Sequence, residues 1–164
     1  RYIAGNAAVL LTTIESIKHE DGLTWYYVDA STNIMPMLGA AVEGTHNHVL
    51  SATRMHETLH TTADVVGPLC IPSVLRNDCS LPELAVGDAI VILDAGMYAE
   101  SDSHQLNWIP RPATVMVRGT DIGLVRAAET LDSIFATQRL PNWLRGVNAP
   151  LSKYRDRAIS EPQE

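Results

Sequence analysis

Residues 64–98 read DVVGPLCIPSVLRNDCSLPELAVGDAIVILDAGMY, and they decide how the chain folds. They hold two short apolar runs of strand character, Val65-Val66 and Ala89 to Leu93. Each run abuts a glycine turn that sets a chemically capable side chain at the strand's end. Gly67-Pro68-Leu69-Cys70 places a thiol just past the first, and Gly96-Met97-Tyr98 a phenol just past the second. Gly87-Asp88 opens the second strand with a turn signal. A Gly-Pro pair needs unusual backbone angles and fixes one φ, which holds the thiol in a defined place. The same residues also describe two strands of a β-domain with a buried structural cysteine, since free cysteine is among the most buried residue types.

Working outward, 164 residues predict one domain with chain enough for a substantial core. A formal charge of −7 argues against a nucleic-acid or acidic-membrane surface. No apolar run approaches the roughly 20 residues of a membrane span. There is no signal-peptide pattern, and a start at Arg1 rather than Met reads as a cut or cropped end. Cys70 and Cys79 are read as reduced thiols of a cytoplasmic protein.

Upstream, Val9 to Ile17 reads as a long strand, Glu20-Asp21-Gly22 as a turn, and Leu23 to Val28 as the returning strand of a hairpin. Downstream, 77–86 and 101–112 read as loops and Ala113 to Val117 as a strand. Thr120 or Asp121 then caps a helix carrying Ile122, Val125, Leu131, Ile134 and Phe135 on one face. After Pro141 the chain turns polar, giving a β-domain over 1–140 and a tail over 141–164. The fold expected is mainly β, an antiparallel barrel or sandwich with a C-terminal α-helix.

GPLC, then GDAIVILDAGMY, then QLNWIPRPATVMV together resemble the C-terminal domain of the diaminopimelate and ornithine decarboxylases. These are pyridoxal-phosphate enzymes with an alanine-racemase-type barrel. The resemblance rests on Gly67 to Cys70, Gly87-Asp88, Gly96 to Tyr98, Asn107 and Arg111 to Val115, in order and spacing over most of residues 1–136. LVRAAET resembles the family's closing R-x-E-T helix. The resemblance implies pyridoxal 5′-phosphate as cofactor, bound mainly by a TIM-barrel domain that this chain does not carry. It also implies a homodimer paired head to tail, with sites between one barrel and the partner's β-domain, and a small amino-acid substrate. Cys70 would protonate the carbanion left by CO₂ loss, and Tyr98 would hydrogen-bond the cofactor phosphate. A thiol titrating near ~8.5 carries its proton at neutral pH and can still release it.

Other family positions differ here. Arg1 would be the arginine of the family's Glu-Pro-Gly-Arg sequence, so the chain is expected to begin where the barrel ends. Its two lysines, Lys18 and Lys153, read as surface residues rather than a Schiff-base lysine. The family's R-P-x-L-Y motif falls on Met35 to Gly39, which removes an arginine and a tyrosine. The ornithine-type aspartate falls on Ala40, and the acid after the cysteine on Ile71. Met35, Gly39 and Ile71, with Arg1, are therefore the expected substrate contacts. A buried ammonium with no counter-charge costs several kcal/mol, so the expected substrate is not diaminopimelate, lysine or ornithine.

Two rival readings stand beside this one. Loss of the substrate-binding positions fits a non-catalytic β-domain acting as an interaction or regulatory module, although such a module needs neither Cys70 nor Tyr98. His56-Glu57-Thr58-Leu59-His60 matches the zincin pattern H-E-x-x-H, which on a helix would share one face and hold zinc for a hydrolase. Its place between strand signals favours an exposed loop, and no metal ligand is assigned.

Overall fold

The computed structural model describes residues 3–36, 47–70, 73–141 and 144. Residues 1–130 form one compact unit and 131–164 a second. In the first, β1 (Leu10–Glu20) and β2 (Leu23–Val28) form the expected hairpin. Asp21 and Gly22 both take left-handed angles, φ 51° and 79°. Such two-residue turns match the twist of paired strands.

β3 (Val49–Ser51), β4 (Thr61–Val66), β5 (Val74–Leu81) and β6 (Ala89–Ile92) complete a six-stranded sheet, ordered β3-β6-β1-β2-β4-β5. Its pairings are antiparallel except β2 with β4, which run parallel. The antiparallel expectation thus holds for most of the sheet and misses one pair. β1 serves two neighbours: Leu10 to Thr13 pair with β6, and Ile14 to Glu20 with β2, with a bulge between Ile14 and Ser16. A bulge bends its strand and sharpens the local twist. Asp29 ties the bend, accepting from the Thr12 hydroxyl and from the Thr13 N–H at 2.9 Å. The edge strands β3 and β5 come back toward each other, so the sheet is nearly closed and barrel-like.

Ile14, Tyr26, Val28, Val65, Leu75, Leu81, Ile90 and Ile92 fill its interior. Cys79 lies among them, and burial pushes its thiol up to about 12. The buried structural cysteine is therefore Cys79.

Two expectations are corrected. The loop expected over 77–86 begins later, because β5 runs through Asn77 and Asp78 to Leu81. Asp78 takes φ 52° at a bulge and donates its N–H to the Asp64 carboxylate at 3.0 Å. Turn-forming residues suit left-handed bulge positions as well as loops. The helix expected from Thr120 is instead a strand. β7 (Thr114–Arg118) and β8 (Asp121–Arg126) form a separate hairpin, turned at Gly119 with φ +60°. β-Branched Ile122 and Val125 suit a strand, and the turn folds them back along β7. The C-terminal helix is short, Leu131–Phe135 in the second unit. Val115, Met116, Val117, Ile122, Leu124 and Val125 of the hairpin are all more than half exposed. Of the expected tail, only Pro141 and Leu144 lie within the described residues.

Candidate functional site

Cys70 rides on the loop between β4 and β5. At Gly67 the backbone passes so close to the end of β2 that a Cβ would sit 2.5 Å from the Ala30 carbonyl oxygen and the Ser31 side chain. Buried Ser73 closes the loop: its hydroxyl donates to the Gly67 carbonyl at 2.8 Å, and its own carbonyl accepts the Gly67 N–H at 2.9 Å. Leu69 is buried beneath, while Cys70 is exposed. Loop closure and the Leu69 anchor thus present a thiol outward from a fixed base.

The second motif glycine works the same way. A Cβ on Gly96 would overlap the Ala4 carbonyl oxygen, and the Gly96 N–H donates to the Gly5 carbonyl at 2.9 Å. Tyr98 follows at φ 59°, more than half exposed, ahead of a one-turn helix, Ala99–Asp102. The chain then makes a 3-10 turn, Leu106–Trp108, with left-handed Asn107 (φ 56°) and Trp108 (φ 59°). Asn107 Nδ2 lies 3.7 Å from Cys70 Sγ, which joins the first motif to this turn.

Two carboxylates and an amide hold this region. Glu129 accepts from the Arg111 guanidinium, at 2.8 Å from Nε, from the Arg111 N–H at 2.9 Å and from Gln105 Nε2 at 2.9 Å. The Arg111 hydrogen bond, ahead of the opposing effect of burial, holds the Glu129 carboxyl down to about 2. Upstream, Asn33 and His104 exchange two hydrogen bonds, Nδ2 to carbonyl at 3.2 Å and N–H to carbonyl at 3.0 Å. Asp88 explains the Gly-Asp signal. It accepts from Arg54 Nε at 2.8 Å, the Ala85 N–H at 2.8 Å and the Thr53 hydroxyl at 2.9 Å, pinning β6 to the loop after β3. Burial opposes its ionisation, but these bonds outweigh it and keep the carboxyl below its ordinary value.

Of the expected site residues, Cys70 and Tyr98 are at the surface, and Cys70 is brought to Asn107. Met35 instead packs in the core at 3% exposure. Arg1, Gly39, Ala40, Ile71 and Lys153 lie outside the described residues. Lys18 is exposed and ion-paired with Glu20. Residues 56–60 are exposed and non-helical, so the i, i+4 spacing of His56 and His60 gives them no shared helix face. Among the described residues no three His, Cys, Asp or Glu side chains gather as a metal site, and no helix is long and apolar enough to cross a membrane. Ser73, Asn33 and Glu129 went unread as site-builders. Ser73 and Asn33 are marked in the sequence only as polar residues near a motif, which many loops share. Glu129, though inside the LVRAAET stretch, reads there as part of a helix rather than as an anchor for the 105–111 loop.

A family profile described as "Pyridoxal-dependent decarboxylase, C-terminal sheet domain" matches residues 1–96. This chain belongs to that family. Among curated relatives, a diaminopimelate decarboxylase of Archaeoglobus fulgidus is 36% identical over 88% of the chain and 34% of its own length. One of Methanothermobacter thermautotrophicus is 38% identical over 86% of the chain and 32% of its own length. A crystal structure of the enzyme from M. jannaschi superposes with a TM-score of 0.77 at 26% identity, over 85% of the chain and 32% of the other. The decarboxylase sheet domain described here therefore spans about a third of the length of the relatives it matches.

The family uses pyridoxal phosphate. An exposed phenol is a suitable hydrogen-bond donor to a phosphate oxygen. The exposed Tyr98 hydroxyl thus fits a phosphate contact. Lys18, on β1, is exposed and paired with Glu20.

Proposed function

We propose that this chain is the sheet domain of a pyridoxal-phosphate-dependent amino-acid decarboxylase and supplies the proton donor, Cys70, to a site shared with a TIM-barrel domain. The carrying observation is the exposed thiol on its Ser73-closed loop, next to the Asn107 amide at 3.7 Å. The cofactor, when bound, serves as the electron sink for CO₂ loss. Cys70 then gives its proton to the α-carbon, and Tyr98 orients the phosphate. Head-to-tail pairing of two copies would bring Cys70 to the partner's barrel, in a cytoplasmic enzyme whose thiols stay reduced.

Diaminopimelate is the first substrate to test. The relatives carry that name, and they give no support to excluding it. Met35, on which part of that exclusion rested, is a core residue here, so its apolar character says nothing direct about a substrate's far end.

The test compares meso-diaminopimelate, lysine, ornithine and uncharged-chain amino acids on the complete enzyme, with and without Cys70→Ala. Turnover of one of them, with CO₂ release retained but product formation slowed ~10²-fold or more in Cys70→Ala, is expected. Equal product formation in wild type and variant would remove Cys70 from the mechanism.

A further inference from the structure

Resting on the reading of Cys70 as proton donor, the geometry points to Asn107 as a positioning residue that fixes which way the thiol proton faces. The Asn107 carboxamide nitrogen carries two protons and accepts none. Its approach to Sγ at 3.7 Å is therefore an N–H donated to sulfur. With that side of the sulfur taken, the single S–H proton is directed away from Asn107, and Cys70 is exposed to receive a substrate there.

The same contact strengthens during the reaction. The S–H bond breaks, its proton goes to the α-carbon, and the electron pair stays on sulfur. The N–H now faces a thiolate, and hydrogen bonds to charged partners are about twice as strong as neutral ones. An interaction that grows as the proton leaves lowers the barrier rather than merely binding the resting thiol. Solvent returns a proton to sulfur before the next turnover.

The backbone around Asn107 is costly to build and is held from both sides. Asn107 and Trp108 are consecutive non-glycine residues with positive φ, a conformation that persists where the surroundings over-determine it. Asn33 holds the loop at His104, and Glu129 holds it at Gln105 and Arg111. Asparagine tolerates left-handed angles better than most residues, but tolerance alone does not aim its amide at a thiol.

The test uses Asn107→Gly and Asn107→Asp in the complete enzyme. Both residues accept the left-handed backbone, so the loop keeps its path; one removes the donor and the other replaces it with a carboxylate. Peptide-resolved iodoacetamide labelling at fixed pH, without substrate, reads the thiolate at Cys70. The labelling rate should fall about three- to tenfold in Asn107→Gly and further in Asn107→Asp, with Cys79 unlabelled throughout. The kcat should fall while KM stays within about twofold, the sign of an interaction made in the transition state. Unchanged Cys70 labelling in both variants overturns the assignment. So does slowed labelling with kcat intact where Cys70→Ala is impaired. If Cys70→Ala is itself unimpaired, the donor reading fails, and the role of Asn107 falls with it.

Discussion

At Gly96 a Cβ would overlap the Ala4 carbonyl oxygen, and at Gly67 it would press on Ala30 and Ser31, whereas at Gly123 it would meet nothing within 4 Å. None of these three needs a positive φ. Their difference is therefore one of space, not of backbone freedom. Gly67→Ala and Gly96→Ala should each cost about 1–3 kcal/mol or more, as overpacking does, while Gly123→Ala should stay within about 0.5 kcal/mol. Urea midpoints of the three variants check this, and equal losses at all three would rule out the steric account. The motif glycines were legible in the sequence as turns. What they touch was not, because Ala4 and Ala30 approach them only once distant strands have paired.

The loop carrying Asn107 owes its place to a carboxylate 18 residues past Arg111. Glu129 titrates at about 2 in the fold against an ordinary 4.5. A carboxyl depressed on folding adds stability that is complete above about pH 4.5 and is lost as pH falls toward 2. Glu129→Gln should cost about 1.5–3 kcal/mol at pH 7, the range for hydrogen bonds to charged groups. The gap between wild type and variant should be constant above about pH 5 and close between 4.5 and 2. Thermal unfolding followed across that range measures it, and a gap that persists at pH 2 would point to packing rather than charge. Elements defined by local chemistry were readable: the β1–β2 hairpin turns at the Asp21-Gly22 pair that two-residue turns favour. Those defined by a partner were not. Asn77-Asp78 has loop composition but is a bulge on β5, and Ile122 with Val125 has helical spacing but lies on β8, where Ile122 pairs with Val117 and Val125 sits at a bulge.

Across the whole molecule, mainly β character followed from strand signals and turns, whereas the choice between barrel and sandwich stayed open and the parallel β2–β4 pair had no local sign. The β7–β8 hairpin stands apart from the six-stranded sheet with apolar side chains exposed. Two-stranded ribbons with such surfaces are marginal in water and tend to acquire neighbours. This chain alone should therefore bind a hydrophobic dye and self-associate with rising concentration. Val117→Lys with Ile122→Lys should suppress both while leaving the circular dichroism of the larger sheet in place. Dye binding unchanged by the double substitution would move its source elsewhere.

The bent first strand also bears on how the protein is made. Leu10 finds its partner in Ile92, and Thr24 of the following strand pairs with Ala63. A ribosome adds about 5–20 residues per second, so Leu10 waits on the order of 4–16 s before its partner has been synthesised. During that wait β1 and β2 can close their own hairpin within microseconds, yet their outer edges stay unpaired and their apolar faces wet. This stretch of the nascent chain is then a short sticky ribbon, and the rate at which residues 61–92 emerge governs how long it needs protection.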